Sequence, residues 1–189
     1  MLIRDPVGVV FAIAPWNAPV TLSLRAIATP LICGNTVILK ASEYSPLSQR
    51  IVVEAFMEVG IPKGVLNFLM FSTQDAPART EEIIGMRDVR RVNFTGSDRV
   101  GRKIAETSGR HLKQVIFFAI EINNQAIFEL GGKAAAVVLD DADLDSAADK
   151  IVFAGLMHGG QICMSTVVLE RCLANERSGL YAQTKSATD

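Results

Sequence analysis

With 189 residues, the chain is long enough to bury a hydrophobic core, and its length fits one domain or one domain and part of another. Hydrophobic residues make up 49% and charged residues 21%, which is a globular composition, and no apolar run reaches the roughly 18 residues of a membrane-spanning helix. The formal net charge is −1 and no basic stripe is visible, so we expect neither a nucleic-acid nor a membrane partner.

Cysteines, histidines and the first residues narrow the class of protein further. Cys33, Cys163 and Cys172 show no CxxC spacing, and the chain has only two histidines, so neither a disulfide framework nor a metal site is indicated. Asp5 and Pro6 stand where a signal peptide has its apolar segment. We therefore expect no bound metal and a reducing compartment, the cytoplasm.

Strand and helix patterns alternate along the first 110 residues. The predicted strands cover residues 7–14, 36–40, 65–69 and 89–94. The predicted helices cover residues 20–33, 47–59, 78–85 and 98–108. Pro46 suits a first helical position, Gly34 and Gly60 end the first two helices, and Ser97 caps the fourth. This alternation predicts an α/β fold, a parallel sheet with helices on both faces and right-handed crossovers.

Two stretches do not fit the alternation. Residues 117–128 are apolar and rich in amides, and the chain beyond Glu170 is polar, as in a frayed tail. The glycine-rich fingerprint GxGxxG is also absent. A nucleotide site in this chain would therefore have to hold a pyrophosphate in another way.

A carboxylate and a thiol stand beside glycine pairs in the second half of the chain. Glu129 precedes Gly131 and Gly132, and Cys163 follows a loop that contains Gly160. Glycines allow a close backbone approach to a ligand, a loop cysteine can be a nucleophile, and a carboxylate can be a general base. On these residues alone, a helix-capping glycine pair and a small apolar cysteine are the favoured interpretation.

Five short motifs, which occur in one order along the chain, favour a functional interpretation of these residues instead. They are Pro15-Trp16-Asn17, Lys40-Ala41-Ser42-Glu43, Phe94-Thr95-Gly96-Ser97, Glu129-Leu130-Gly131-Gly132-Lys133 and Gly160-Gln161-Ile162-Cys163. Together they resemble the NAD(P)-dependent aldehyde dehydrogenase superfamily, over roughly residues 6–168. The separations of 23 residues from Asn17 to Lys40 and 34 from Glu129 to Cys163 also match that family.

The resemblance implies a Rossmann-like cofactor domain and the start of a catalytic α/β domain. It divides the chain into a partial NAD-binding domain at 1–130, the nucleophile loop of the catalytic domain at 131–170 and a divergent, disordered tail at 171–189. In this family, Cys163 would attack the aldehyde as a thiolate, and Asn17 and the Cys163 N–H would bind the oxyanion. Glu129 would activate the water that hydrolyses the thioester.

The resemblance also implies a set of cofactor-binding residues. Lys40 and Glu43 would contact the adenosine ribose, where a carboxylate accepts from the 2′-hydroxyl and repels a 2′-phosphate, so NAD is expected rather than NADP. Ser97 would hold the pyrophosphate at a helix N-terminus. The other expected cofactor contacts are Ile13, Pro15, Trp16, Gly96, Leu130 and Gly131.

Finer likenesses and departures complete the comparison with that family. Gln74-Asp75-Ala76-Pro77, Arg90-Arg91-Val92-Asn93 and Ile162-Cys163-Met164-Ser165 resemble the branch that oxidises aromatic aldehydes such as vanillin or salicylaldehyde. Relative to the family, the upstream elements, the later E-x-F-G-P motif and the strand that builds the homo-oligomer are missing, and residues 117–128 look like an insertion. We therefore expect the 189-residue chain to be a poor or inactive dehydrogenase.

Three functions remain open at this point. In the first, the chain is a working aldehyde dehydrogenase, either alone or completed by a partner chain. Alternatively, it is an inactive remnant that binds a nucleotide or a full-length paralogue. In the third, the acyl group of the thioester passes to coenzyme A, although Glu129 favours hydrolysis.

Outside these motifs, Cys33 is expected in the core and His158 is expected to pack behind the nucleophile loop.

Overall fold

A computed structural model describes residues 5–117, 130–132, 134–139 and 141–171. The chain divides between Leu130 and Gly131 into two compact units. Within the described ranges, no helix is long and apolar enough to cross a membrane. The expected insertion at 117–128 and the tail lie outside these ranges, except that Phe117 ends one strand and Arg171 ends another.

The first unit alternates strands and helices in the predicted order. Its strands are β1 (Val9–Ile13), β2 (Thr36–Lys40), β3 (Leu66–Leu69), β4 (Val89–Phe94) and β5 (Gln114–Phe117). Its helices are α1 (Pro19–Ile32), α2 (Pro46–Glu58), α3 (Ala76–Gly85) and α4 (Asp98–Arg110). The predicted α/β fold is confirmed, and most element bounds differ from the prediction by no more than two residues. β5 was not predicted, because it begins the stretch that the pattern left unassigned.

All five strands are parallel, in the order β3-β2-β1-β4-β5. β1 is the central strand, and its side chains alternate between two hydrophobic clusters. Phe11 and Ile13 pack with residues of α3, β4 and α4, whereas Ala12 and Ala14 pack with residues of α1, β2 and α2. Because both faces of β1 are covered, the strand is nearly continuously apolar in sequence.

Glycines end the first two helices in the same way. At the end of α1, the Gly34 N–H donates to the Leu31 carbonyl and the Asn35 N–H to the Pro30 carbonyl. This Schellman pattern requires a left-handed residue, and Gly34 has a φ of 78°. Gly60, with a φ of 91°, ends α2 with the equivalent pair of bonds.

The prediction that Cys33 lies in the core is wrong. Cys33 is the C-terminal cap of α1, and its free thiol is exposed. The prediction placed Cys33 on the helix beside Gly34, but the chain leaves the helix at this residue. The side chain that ties this corner to β1 is instead that of Asn35, whose Oδ1 accepts from the N–H groups of Val7 and Gly8.

The second unit is a small β-α-β arrangement. It contains β6 (Ala134–Val138), α5 (Leu144–Leu156), a 3₁₀ turn (Met157–Gly160) and β7 (Thr166–Arg171), and β6 pairs with β7 in parallel. Asp143 caps α5, because its carboxylate accepts from the Ser146 N–H at 3.0 Å. Val138 and Ala148 are the buried hydrophobic residues of its core cluster.

Replacing Gly34 with alanine tests the first helix end. A Cβ at residue 34 would stand 2.9 Å from Pro6 Cγ and would also occupy the left-handed region, which costs an L-residue about 1–2 kcal/mol. Gly60→Ala is the matched control, because it has the same backbone strain and no atom within 4 Å of the new Cβ. We expect urea unfolding to show a larger loss for Gly34→Ala than for Gly60→Ala. Equal losses would contradict the close packing against Pro6.

Candidate cofactor and active site

The carboxyl ends of three neighbouring strands stand level at one edge of the sheet. Ile13, the last residue of β1, pairs with Lys40 at the end of β2 and with Phe94 at the end of β4. The chain leaves β1 toward β2 on one side, and β4 leads on to β5 on the other side. In open parallel sheets, ligands bind at such a reversal of strand order, outside the carboxyl ends of the strands.

Most predicted cofactor residues lie on the loops at this edge. Ile13 is buried at the end of β1, and Pro15, Trp16 and Asn17 follow in the loop before α1. Lys40 ends β2, Glu43 lies in the next loop, and Gly96 and Ser97 lie between β4 and α4. Leu130, also in this unit, packs against the hydrophobic cluster that contains Phe94.

The loop after β2 carries a closely paired lysine and glutamate. Lys40 Nζ donates to Glu43 Oε1, and the two side chains are 9% and 19% exposed. A lysine this far buried needs a partner, because an unpaired ammonium loses its hydration without compensation. The pair leaves a carboxylate at the edge of the sheet, already oriented by its neighbour.

The loop after β1 presents the one tryptophan of the chain. Trp16 is 43% exposed, and its ring meets the Tyr44 ring edge-on, with centroids 6.5 Å apart and an interplanar angle of 69°. Such an arrangement is favourable for aromatic pairs. The contact links the loop after β1 to the loop after β2. Asn17 follows Trp16 and is half-buried.

The loop after β4 leads into a capped helix. Ser97 has extended backbone angles, and its hydroxyl accepts from the Val100 N–H at 3.4 Å. The N–H groups of the first turn point out of the helix end, which favours an anion. A Cβ at Gly96 would stand 2.7 Å from the Phe94 ring, so a side chain at this position would push the loop away from the end of β4.

The nucleophile candidate lies in the second unit. Cys163 is exposed and free, in the loop between the 3₁₀ turn and β7. Before it, His158, Gly159 and Gly160 all have left-handed backbone angles, with φ of 56°, 62° and 72°. Backbone of this kind is uncommon outside glycine and tends to cluster at functional loops.

The prediction that His158 packs behind this loop is wrong, because its side chain is exposed.

The three predicted catalytic residues lie in different parts of the chain. Asn17 belongs to the first unit and Cys163 to the second, and Glu129 lies outside the described residues. Gly131 opens the second unit and is exposed. The catalytic assignments therefore stay predictions.

Sequence reasoning missed two residues that shape this edge. Gly101 of α4 is a close packing point, since a Cβ there would stand 2.7 Å from Leu130 Cδ2. Gln49 of α2 is fully buried and bonds to the loop after β1 and to the loop after β2. A signal for Gln49 was present, because it falls on the same helical stripe as the buried Val52 and Val53.

Comparison with known proteins gives concordant matches. The model of the aldehyde dehydrogenase family matches residues 1–183. A vanillin dehydrogenase of Pseudomonas sp. strain HR199 is 52% identical over 166 residues, which are 88% of this chain and 32% of that protein.

Two solved structures extend the likeness to the fold. The crystal structure of a salicylaldehyde dehydrogenase from Pseudomonas putida G7, complexed with salicylaldehyde, has a TM-score of 0.82 and 43% identity, over 89% of this chain and 33% of that one. An NAD-dependent aldehyde dehydrogenase from Sinorhizobium meliloti has a TM-score of 0.85 and 34% identity, over 98% and 34%. The chain thus spans about a third of the length of the proteins it matches. By this family match and these identities, the chain belongs to the aldehyde dehydrogenase family.

Proposed function

We propose that this chain takes part in the oxidation of an aldehyde to a carboxylic acid, with NAD(P) as hydride acceptor. The observation that carries the proposal is the level ending of β1, β2 and β4, which gathers the loops of Trp16, Glu43 and Ser97 at the reversal of strand order. In domain terms, residues 1–130 are a partial NAD-binding domain and 131–170 begin the catalytic domain. We also propose that the protein is located in the cytoplasm.

The loop after β4 suits a pyrophosphate although GxGxxG is absent. The N-terminus of α4 offers N–H groups and the Ser97 hydroxyl. Asp98 in the first turn would repel a phosphate, but its carboxylate is paired with Arg102 at 3.1 Å.

The loop after β2 suits the adenosine ribose of NAD. Glu43, held by Lys40, can accept from a 2′-hydroxyl, whereas its charge would oppose a 2′-phosphate.

The residues of this chain account for the chemistry around the cofactor. The Cys163 thiolate would attack the aldehyde carbon and form a thiohemiacetal, while the Asn17 amide and the Cys163 N–H would stabilise its oxyanion. NAD(P), if held by the loops after β1, β2 and β4, would supply the hydride acceptor that oxidation of the thiohemiacetal to a thioester needs. Glu129 would take a proton from water, whose oxygen then attacks the thioester carbon and releases the acid and the thiolate.

The proposed substrate is an aromatic aldehyde. The support is the likeness to vanillin dehydrogenase and to the salicylaldehyde complex. A second candidate function is nucleotide binding without turnover. Nearly all proposed cofactor contacts lie in the first unit, whereas Cys163 lies in the second. This placement favours the second candidate, because nucleotide binding would then not require the thiol.

Glu43→Gln tests the cofactor assignment. A ligand at 100 times its Kd stabilises a protein by about 2.7 kcal/mol, so saturating NAD should raise the Tm of the wild-type chain and NADP should raise it less. Removing the charge of Glu43 leaves Lys40 free to attract a 2′-phosphate, so the preference for NAD should shrink. Glu54→Gln, on an exposed pair with Arg50, is the control. No shift with either nucleotide, or an unchanged preference in Glu43→Gln, would contradict the assignment.

Cys163→Ser separates turnover from binding. With vanillin or salicylaldehyde as substrate, loss of the nucleophile should lower NADH production by on the order of 10³-fold or more and leave the NAD-induced Tm shift intact. Cys33→Ser, which removes the other thiol that is exposed among the described residues, should change neither. Retained turnover in Cys163→Ser would rule out the thiolate mechanism. A wild-type chain that binds NAD but forms no NADH would support the second candidate function.

A further inference from the structure

A buried amide lies between the loop after β1 and the loop after β2, which both carry proposed cofactor contacts. Gln49, in the first turn of α2, has no exposed surface. A buried amide that lacks partners is costly, so its bonds are strongly constrained. Both its Oε1 and its Nε2 bond to backbone or hydroxyl groups of neighbouring elements.

The bonds of Gln49 reach three segments. Its Oε1 accepts from the Ser42 N–H at 2.6 Å, and its Nε2 donates to Ser23 Oγ at 3.0 Å. The same Nε2 lies 3.4 Å from both the Ala14 and the Pro15 carbonyl oxygens. The orientation of the amide is unambiguous, because a backbone N–H can only donate and a carbonyl can only accept.

Gln49 takes a place that a backbone bond would otherwise fill. The ladder between β1 and β2 ends where the Ala14 N–H donates to the Lys40 carbonyl at 3.5 Å. In a parallel ladder, the next bond would run from the Ser42 N–H to the Ala14 carbonyl. The Gln49 amide stands between these two groups and bonds to each, as an inserted peptide unit would. The Gln49 amide therefore holds the segments that follow β1 and β2 apart while bonding to both of them.

This separation occurs where the proposed cofactor contacts begin. Ser42 lies between Lys40 and Glu43, and Pro15 immediately precedes Trp16 and Asn17. The edge-on contact of Trp16 with Tyr44 joins the same two loops from outside. Gln49 thus bridges the backbones of both loops with buried hydrogen bonds.

We propose that Gln49 is a positioning residue that sets the spacing between the loop of Trp16 and Asn17 and the loop of Lys40 and Glu43. It does not touch the cofactor or the substrate but acts through the backbone of these loops. The inference rests on the proposed function for its effect on NAD, whereas its effect on Trp16 is independent of any ligand.

The decisive variant is Gln49→Met, which keeps the length of the side chain and removes every hydrogen bond. Because Trp16 is the only tryptophan of the chain, its emission and its quenching by acrylamide report on the loop after β1. In the chain without nucleotide, we expect Trp16 to become more quenchable. By isothermal calorimetry, we expect the Kd of NAD to rise about tenfold, which corresponds to about 1.4 kcal/mol.

Two controls separate positioning from general loss of stability. Val53→Ala, in the same helix and equally buried, removes core packing without touching the loops. Ser23→Ala removes one partner of Gln49 outside the two loops. At a temperature where all variants are folded, both controls should keep the wild-type quenching of Trp16 and an NAD Kd within about twofold of the wild-type value, a change of only a few tenths of a kcal/mol.

Either of two results overturns the inference. One is Gln49→Met with wild-type quenching and wild-type Kd, and the other is Val53→Ala with the same changes as Gln49→Met. If Gln49→Met does not fold, Gln49→Asn is measured instead; it is one methylene shorter and can bond only one of the loops, so the same two readouts should change. A wild-type chain that fails to bind NAD would refute the proposed function, while the quenching comparison would still decide the role of Gln49.

Discussion

The hydrogen-bond register of β1 with its two neighbours is the constraint on which the rest of this structure depends. β1 pairs with β2 on one side and β4 on the other, and the three strands end level at Ile13, Lys40 and Phe94. A slip by one residue would reverse the faces of Phe11 and Ala12 and expose one of the two hydrophobic clusters. The burial of both faces therefore holds the register, and the register in turn places the three loops at one edge.

The loops at this edge contain no glycine-rich phosphate fingerprint. Single glycines serve packing instead: Gly96 lies against the Phe94 ring, and Gly101 lets α4 approach Leu130. The charges at the edge are paired within the chain, Lys40 with Glu43 and Asp98 with Arg102. The exposed pair of Asp98 and Arg102 contributes little to stability, while the largely buried pair of Lys40 and Glu43 orients a carboxylate.

The division of the chain at Leu130 separates two kinds of role. The first unit contains the loops proposed to bind the cofactor, and its core depends on a five-stranded sheet. The second unit carries Cys163 on an exposed loop whose preceding residues are left-handed. The proposed nucleotide binding and the proposed attack by the thiol thus rest on residues of different units.

Local patterns in the sequence by themselves determined much of this protein. The apolar run of β1, the prolines that begin α1 and α2, the glycines that end them and the cap at Ser97 all depend on neighbours within a few residues, so they can be read in one dimension. The motifs also indicated the family.

Only the tertiary structure decided which strands are neighbours, that Cys33 is exposed, and that the Gln49 amide extends the ladder between Ala14 and Ser42. These properties arise from contacts between residues far apart in sequence, where the partner of a buried polar group is known only once the surrounding elements have packed.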